Sequence, residues 1–221
     1  MRFTMMRKTL HGPDDPNQRL LALATLVNTV GMGVYLSAGM IFLIRSAGLT
    51  PIEVGLGLTA GSLVGVGAGV AIGDQADRRD SRNMMIVCIL VEAAGSVSLL
   101  LVHSALALGI VSAVSAVGRA GTGSSRGALI GSVTPEGKGA QLRTYLRALT
   151  NVGLAIGAVE SAIILAIDTR PAYTAMILTD TVTFLGAAVV LSRLPSMPPA
   201  RSGTAAQGPR WLVFRDAPYL A

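Results

Sequence analysis

Charge is scarce in this chain: Asp, Glu, Lys and Arg together make up 14% of its 221 residues. An ordinary soluble domain carries about a quarter, so too few ionic groups remain here to coat a water-facing shell. Cysteine is nearly absent. The single thiol, Cys88, excludes an internal disulfide and any thiolate metal cluster. The two histidines, His11 and His103, stand far apart in a tail and a turn. No histidine-based metal site follows, and no cofactor motif is present. Aromatic residues amount to 4% and do not interleave with the basic ones. The sequence pI near 10.2 therefore does not describe a nucleic-acid groove. No cleavable leader is expected either: residues 1–19 are polar and broken by Pro13 and Pro16, and the long apolar run after them reads as an anchor that stays.

What is abundant is apolar surface, with 51% hydrophobic residues. Six stretches reach the roughly 20 residues a helix needs to cross a bilayer: 20–44, 52–72, 84–102, 105–132, 143–167 and 172–192. The chain divides into a tail over 1–19, a six-helix domain over 20–192, and a segment over 193–221. That last segment is Pro-rich at first and then, from Trp211, resembles the approach to a seventh span. Fourteen of the eighteen basic residues fall in alternate gaps: the N-terminal tail, the turn around Arg78, Arg79 and Arg82, the gap with Lys138, Arg143 and Arg147, and the tail from Arg193. Positive residues stay inside. This distribution predicts a multi-pass protein of the cell membrane, with the lipid bilayer as solvent and both termini cytoplasmic.

Within the spans the rare polar residues are ordered. Ser112, Ser115, Arg119, Thr122 and Arg126 step by three and four residues and share one face of span four. An arginine near a span centre costs roughly 2.5–3.5 kcal/mol on insertion scales, so Arg119 is expected to face a wet cavity or a carboxylate. Glu92 and Asn28 lie at broadly similar depth, at about 1.5 Å of rise per residue. Thr25, Asn28, Met32 and Tyr35 form a weaker seam on span one. The carboxyls Glu92, Glu160 and Asp180 are candidate proton carriers; the sequence does not choose among them. In span two, Gly57, Gly61, Gly65, Gly69 and Gly73 recur every four residues. Such a ridge lets two helix backbones approach closely in lipid.

The segment Gly73-Asp74-Gln75-Ala76-Asp77-Arg78-Arg79-Asp80-Ser81-Arg82 resembles the loop between the second and third helices of the major facilitator superfamily. Gly73, Asp77, Arg78 and Arg82 match the motif, and Asp80 stands where that family usually has Gly. Arg119-Ala120-Gly121-Thr122-Gly123 is similar to the family's fourth-helix motif, with Thr122 in place of Gln. The resemblance covers nearly the whole chain. It implies an all-α fold of six transmembrane helices, arranged as two inverted three-helix repeats like one half of such a transporter. It further implies that Asp77 locks a cytoplasmic gate beside Arg78 and Arg82, with Arg126 as a further partner. Asn28, Tyr35, Ser115, Arg119, Thr122 and Arg126 would line a central cavity.

The function this implies is secondary active transport of a small organic solute by alternating access, as a drug-efflux-like, proton-coupled carrier rather than an enzyme. Six spans are half of the family's usual number, about twelve. The expectation is therefore a truncated N-terminal half that needs a second six-helix half, in the same or another chain. The alternatives are a non-transporting six-span scaffold or gene fragment, and a membrane-embedded phosphotransferase holding a divalent metal on Asp74, Asp77 and Asp80.

Overall fold

The computed structural model describes residue 13 and residues 15–78, 80–135 and 137–196, with 69–78 described by backbone alone. Six long helices follow one another: α1 Pro16–Arg45, α2 Pro51–Arg78, α3 Ser81–Ser98, α4 Ala105–Val133, α5 Gly139–Ile167 and α6 Arg170–Ser192. A short 3₁₀ turn, Leu99–Leu101, ends α3. Among the described residues there is no strand, and all six helices are long and apolar enough to cross a membrane.

The helix starts differ from the predicted spans for local reasons. α1 begins at Pro16 rather than 20, because the Asp15 side chain accepts from the backbone amides of Asn17 (2.7 Å) and Gln18 (3.2 Å). Pro16 then occupies a first-turn position where no amide is needed. Thr50 and Glu53 close a capping box at the head of α2: the Thr50 amide and hydroxyl both donate to Glu53 Oε2 at 2.8 Å. α2 runs on to Arg78 instead of stopping at 72. Gly73, Asp77 and Arg78 thus belong to a helix rather than a loop. The segment after residue 72 contains no proline to end the helix, and Gln75 and Ala76 favour its continuation. Asp80 has φ −58° and caps α3, accepting from the Arg82 amide at 2.9 Å. A residue with that backbone angle has no need to be glycine.

Helices consecutive in the chain barely touch within each set of three. α2 instead packs along α4, and α5 along α1; α3 packs on α4, and α6 on α1; α3 and α6 meet each other. Exchanging the first three helices for the last three reproduces this pattern. Three crossings put the second set in the opposite direction, so the two sets are inverted repeats.

Close approach is bought with glycine. A Cβ on Gly57 would come 2.9 Å from the Leu108 side chain, one on Gly61 would collide with Ser112, and one on Gly65 would lie 2.5 Å from Ala116 Cβ. The equivalent α5–α1 contact uses Gly153 against Thr29, and Gly157, whose added Cβ would reach 2.6 Å from the Val34 nitrogen. Gly69 and Gly73 lie outside the described side chains.

Buried apolar residues form two clusters. One, at the end that carries Pro16 and Ser192, holds Leu21, Met85, Ile89, Leu129, Leu146 and Leu191. The other, at the opposite end, holds Val34, Leu43, Val54, Leu108, Tyr173 and Ile177. Large apolar side chains also point outward all round the bundle, among them Ile52, Leu63, Leu106, Val159 and Val182, each more than half exposed. Such a surface suits hydrocarbon, which also requires every backbone group to be satisfied within helices.

Candidate functional site

Most of the polar side chains buried in the bundle fall between the two apolar clusters. Asn28 and Thr29 on α1, Glu92 and Ser96 on α3, Thr122 and Ser125 on α4, Ser161 on α5 and Asp180 on α6 are all buried. Ser161 donates to the Val34 carbonyl at 2.8 Å. Against this layer opens a cleft of about 690 Å³, walled by α1, α2, α3, α4 and α6. Its charged groups are Glu92, Arg119 and Asp180, and its other polar groups include Tyr35, Ser62, Ser112 and Ser115. Met32, Leu36, Met40, Leu58 and Phe184 supply apolar wall.

Glycines set the carboxyls in place. A Cβ on Gly118 would sit 2.8 Å from Glu92 Cγ, so α3 can press Glu92 against α4 only because position 118 is bare. There Thr122 Oγ1 donates to Glu92 Oε1 at 2.6 Å. A Cβ on Gly31 would lie 2.7 Å from Asp180 Oδ1. Asp180 occupies the slot between that bare stretch of α1 and Ser96 of α3, whose hydroxyl donates to Oδ2 at 2.7 Å. The Arg119 charge acts on both carboxyls without a direct ion pair to either.

The residues expected to line a cavity are placed unevenly. Tyr35, Ser115 and Arg119 line the cleft. Asn28, Thr122 and Arg126 lie outside its wall. Thr122 turns toward α3, because α4 packs on α2 and α3 at once and its seam is divided between those two neighbours. Asn28 is buried with Oδ1 lacking a hydrogen-bond partner among the described residues, as is Nε of the half-buried Arg126. Glu92 and Asp180 line the cleft, whereas Glu160 sits on α5, which contributes nothing to it. Two roles escaped sequence reasoning. Ser96, the donor to Asp180, lies 84 positions away in the chain and carries no local signal. The second is the place of Asp180 across the cleft from Arg119, whose charge reaches it without an ion pair.

Of the residues expected to form a gate, Gly73, Asp77 and Arg78 fall where side chains are not described. Arg82 donates through Nη2 to the Ser192 carbonyl at 2.7 Å and through Nε to the Leu191 carbonyl at 3.3 Å. It thereby satisfies the Ser192 carbonyl at the end of α6 and adds a second bond to that of Leu191, which also accepts from the Leu194 amide at 3.0 Å. At the other end, Asp168 caps α5 in the left-handed region at φ 49°. It pairs with Arg45 and accepts from Tyr173 Oη at 2.7 Å, tying the end of α1 to the α5–α6 turn.

This architecture has counterparts among known proteins. The sequence profile described as Major Facilitator Superfamily matches residues 21–221. The chain belongs to that family. No curated protein sequence matches it. Among solved structures it resembles a bacterial homologue of the human lysosomal transporter Spinster, captured inward-facing and unoccupied, with a TM-score of 0.61 and 15% identity. That match covers 90% of this chain and 47% of the Spinster homologue, so the superfamily chain described here spans about half the length of its structural counterpart. At this identity the likeness concerns the fold.

Proposed function

We propose that this superfamily member works as the N-terminal half of a secondary active transporter. It moves a small organic solute across the cell membrane by alternating access, without covalent chemistry, and exports it in exchange for protons. The observation that carries this reading is the cleft itself. Three charged groups and a few hydroxyls stand in a wall otherwise built from thioether, aliphatic and aromatic surface. Intramembrane ionisable residues facing a cavity mark solute and ion paths, and an apolar pocket with a few placed polar groups suits a small organic molecule. A second six-helix half, in the same or another polypeptide, supplies the facing wall. The basic residues Arg82, Arg143, Arg147 and Arg193 lie toward one end of the bundle, which supports a cytoplasmic placement for that end and for both termini.

Asp77, Arg78 and Arg82 form the gate in this reading, on the strength of the motif. Arg82 adds a physical reason, since it joins the head of α3 to the last carbonyls of α6. The test is flux. Vesicles containing the protein are loaded with a panel of fluorescent organic cations, anions and neutral dyes, and release is followed with and without an imposed proton gradient. Gradient-dependent release of at least one dye is expected, falling at least tenfold in Arg119→Ala and in Asp77→Asn while both variants still insert. Release that ignores the gradient removes proton coupling. Undiminished release in Arg119→Ala removes the cleft as the path, and undiminished release in Asp77→Asn removes the gate.

A further inference from the structure

We infer that Asp180, rather than Glu92 or Glu160, is the proton-binding group of the cleft. The inference deepens the transporter reading and rests on it for its role in coupling. The two cleft carboxyls live in different surroundings. Glu92 accepts a 2.6 Å hydrogen bond from Thr122. It also lies in the field of two guanidinium groups, Arg119 and Arg126, which flank Thr122 on the same helix face. Its cationic neighbours thus share α4 with its hydrogen-bond donor. Asp180 has one donor, Ser96, on Oδ2. Its other oxygen, Oδ1, is buried with no hydrogen-bond partner among the described residues, against the bare backbone at Gly31. No side chain at position 31 can reach that oxygen.

The ionisable groups around Asp180 are few. α1 offers Tyr35, a neutral phenol. α3 offers Glu92, another acid. Across the cleft α4 offers Arg119, which is shared with Glu92, and α5 adds no residue to the cleft wall. The wall thus holds two carboxyls and one guanidinium. With both acids ionised, Arg119 and Arg126 both act on Glu92, while Asp180 has only the shared Arg119 and no ion pair to it; a buried charge without a direct partner is costly. A proton on Oδ1 removes that charge and leaves the Ser96 bond on Oδ2 in place. Glu160 is half-buried on α5, which lends no residue to the cleft wall, and has no part in this balance. Asp180 also sits where α1, α3 and α6 meet, so its charge state acts on three walls of the cleft at once.

Infrared difference spectroscopy of the full chain in lipid nanodiscs tests this without any transported solute. Among the carboxylic-acid C=O bands that grow as the pH is lowered, the band of a buried carboxyl should vanish in Asp180→Asn and persist in Glu92→Gln. Ser96→Ala, a milder change, should keep the band and move it to higher frequency, because it removes the single hydrogen bond to that carboxyl. Survival of that band in Asp180→Asn, its loss in Glu92→Gln, or the absence of any such band overturns the assignment. Failure of dye flux alongside a normal Asp180 band would instead count against the transporter reading and leave the proton site standing.

Discussion

Thr122 and Ser96 each give a single hydroxyl proton to a carboxyl that would otherwise be buried without a partner. Leaving a buried acceptor unsatisfied costs about 1–3 kcal/mol. Thr122→Val, nearly equal in shape, should therefore lower thermal stability in detergent by that amount, read as the midpoint of intrinsic-fluorescence unfolding. Thr174→Val should leave the midpoint unchanged, since that exposed hydroxyl only bonds back to the Arg170 carbonyl. The Arg45–Asp168 pair is a contrast. Its side chains are 58% and 38% exposed, and exposed pairs contribute about 0–1 kcal/mol, so Arg45→Ala should cost less than Thr122→Val in the same assay. At this scale the sequence is partly legible. The step of three and four residues places Arg119 and Ser115 together on α4, and both line the cleft. Nothing local shows that Ser96 faces Asp180, or that Thr122 turns away toward α3, because those depend on which helices become neighbours. Asp80 shows the converse. It departs from a glycine motif, and the structure gives it a cap to make.

At the scale of the helix, composition and length carry most of the information. Apolar runs of about 20 residues mark all six crossings because hydrocarbon thickness fixes the length. Their ends are set by caps at Asp15, Thr50, Asp80, Ser104 and Thr169. The four-residue glycine spacing on α2 is legible as a contact face, and its partner on α4 follows only from the fold. Gly65→Leu should drive a branched side chain into Ala116, and overpacking of this kind costs typically 1–3 kcal/mol. Gly67, two residues on, has open space around it. Gly67→Leu should unfold at the wild-type temperature or slightly above, because leucine favours helix over glycine. Gly157→Leu on α5 should match Gly65→Leu, since α5 meets α1 as α2 meets α4. Equal behaviour of the position 65 and 67 variants would show that the ridge faces lipid.

Across the whole molecule, two apolar clusters close the ends of the bundle and a polar layer lies between them, opened on one side by the cleft. The inverted pairing of the helices makes both ends similar in construction, which suits the alternating access proposed above. The outer faces of the helices are apolar, and the few ionic groups within the spans turn inward. Cysteine accessibility tests that division most directly. Cys88, the chain's single thiol, is buried, so Cys88→Ala gives a clean background. Single cysteines are then introduced as Ser62→Cys and Ser115→Cys in the cleft wall and Val87→Cys on the outer face of α3. In intact membranes a hydrophilic maleimide should label the first two and spare the third. Labelling at 87 with protection at 62 and 115 would put water where hydrocarbon is claimed and contradict an aqueous path through the cleft.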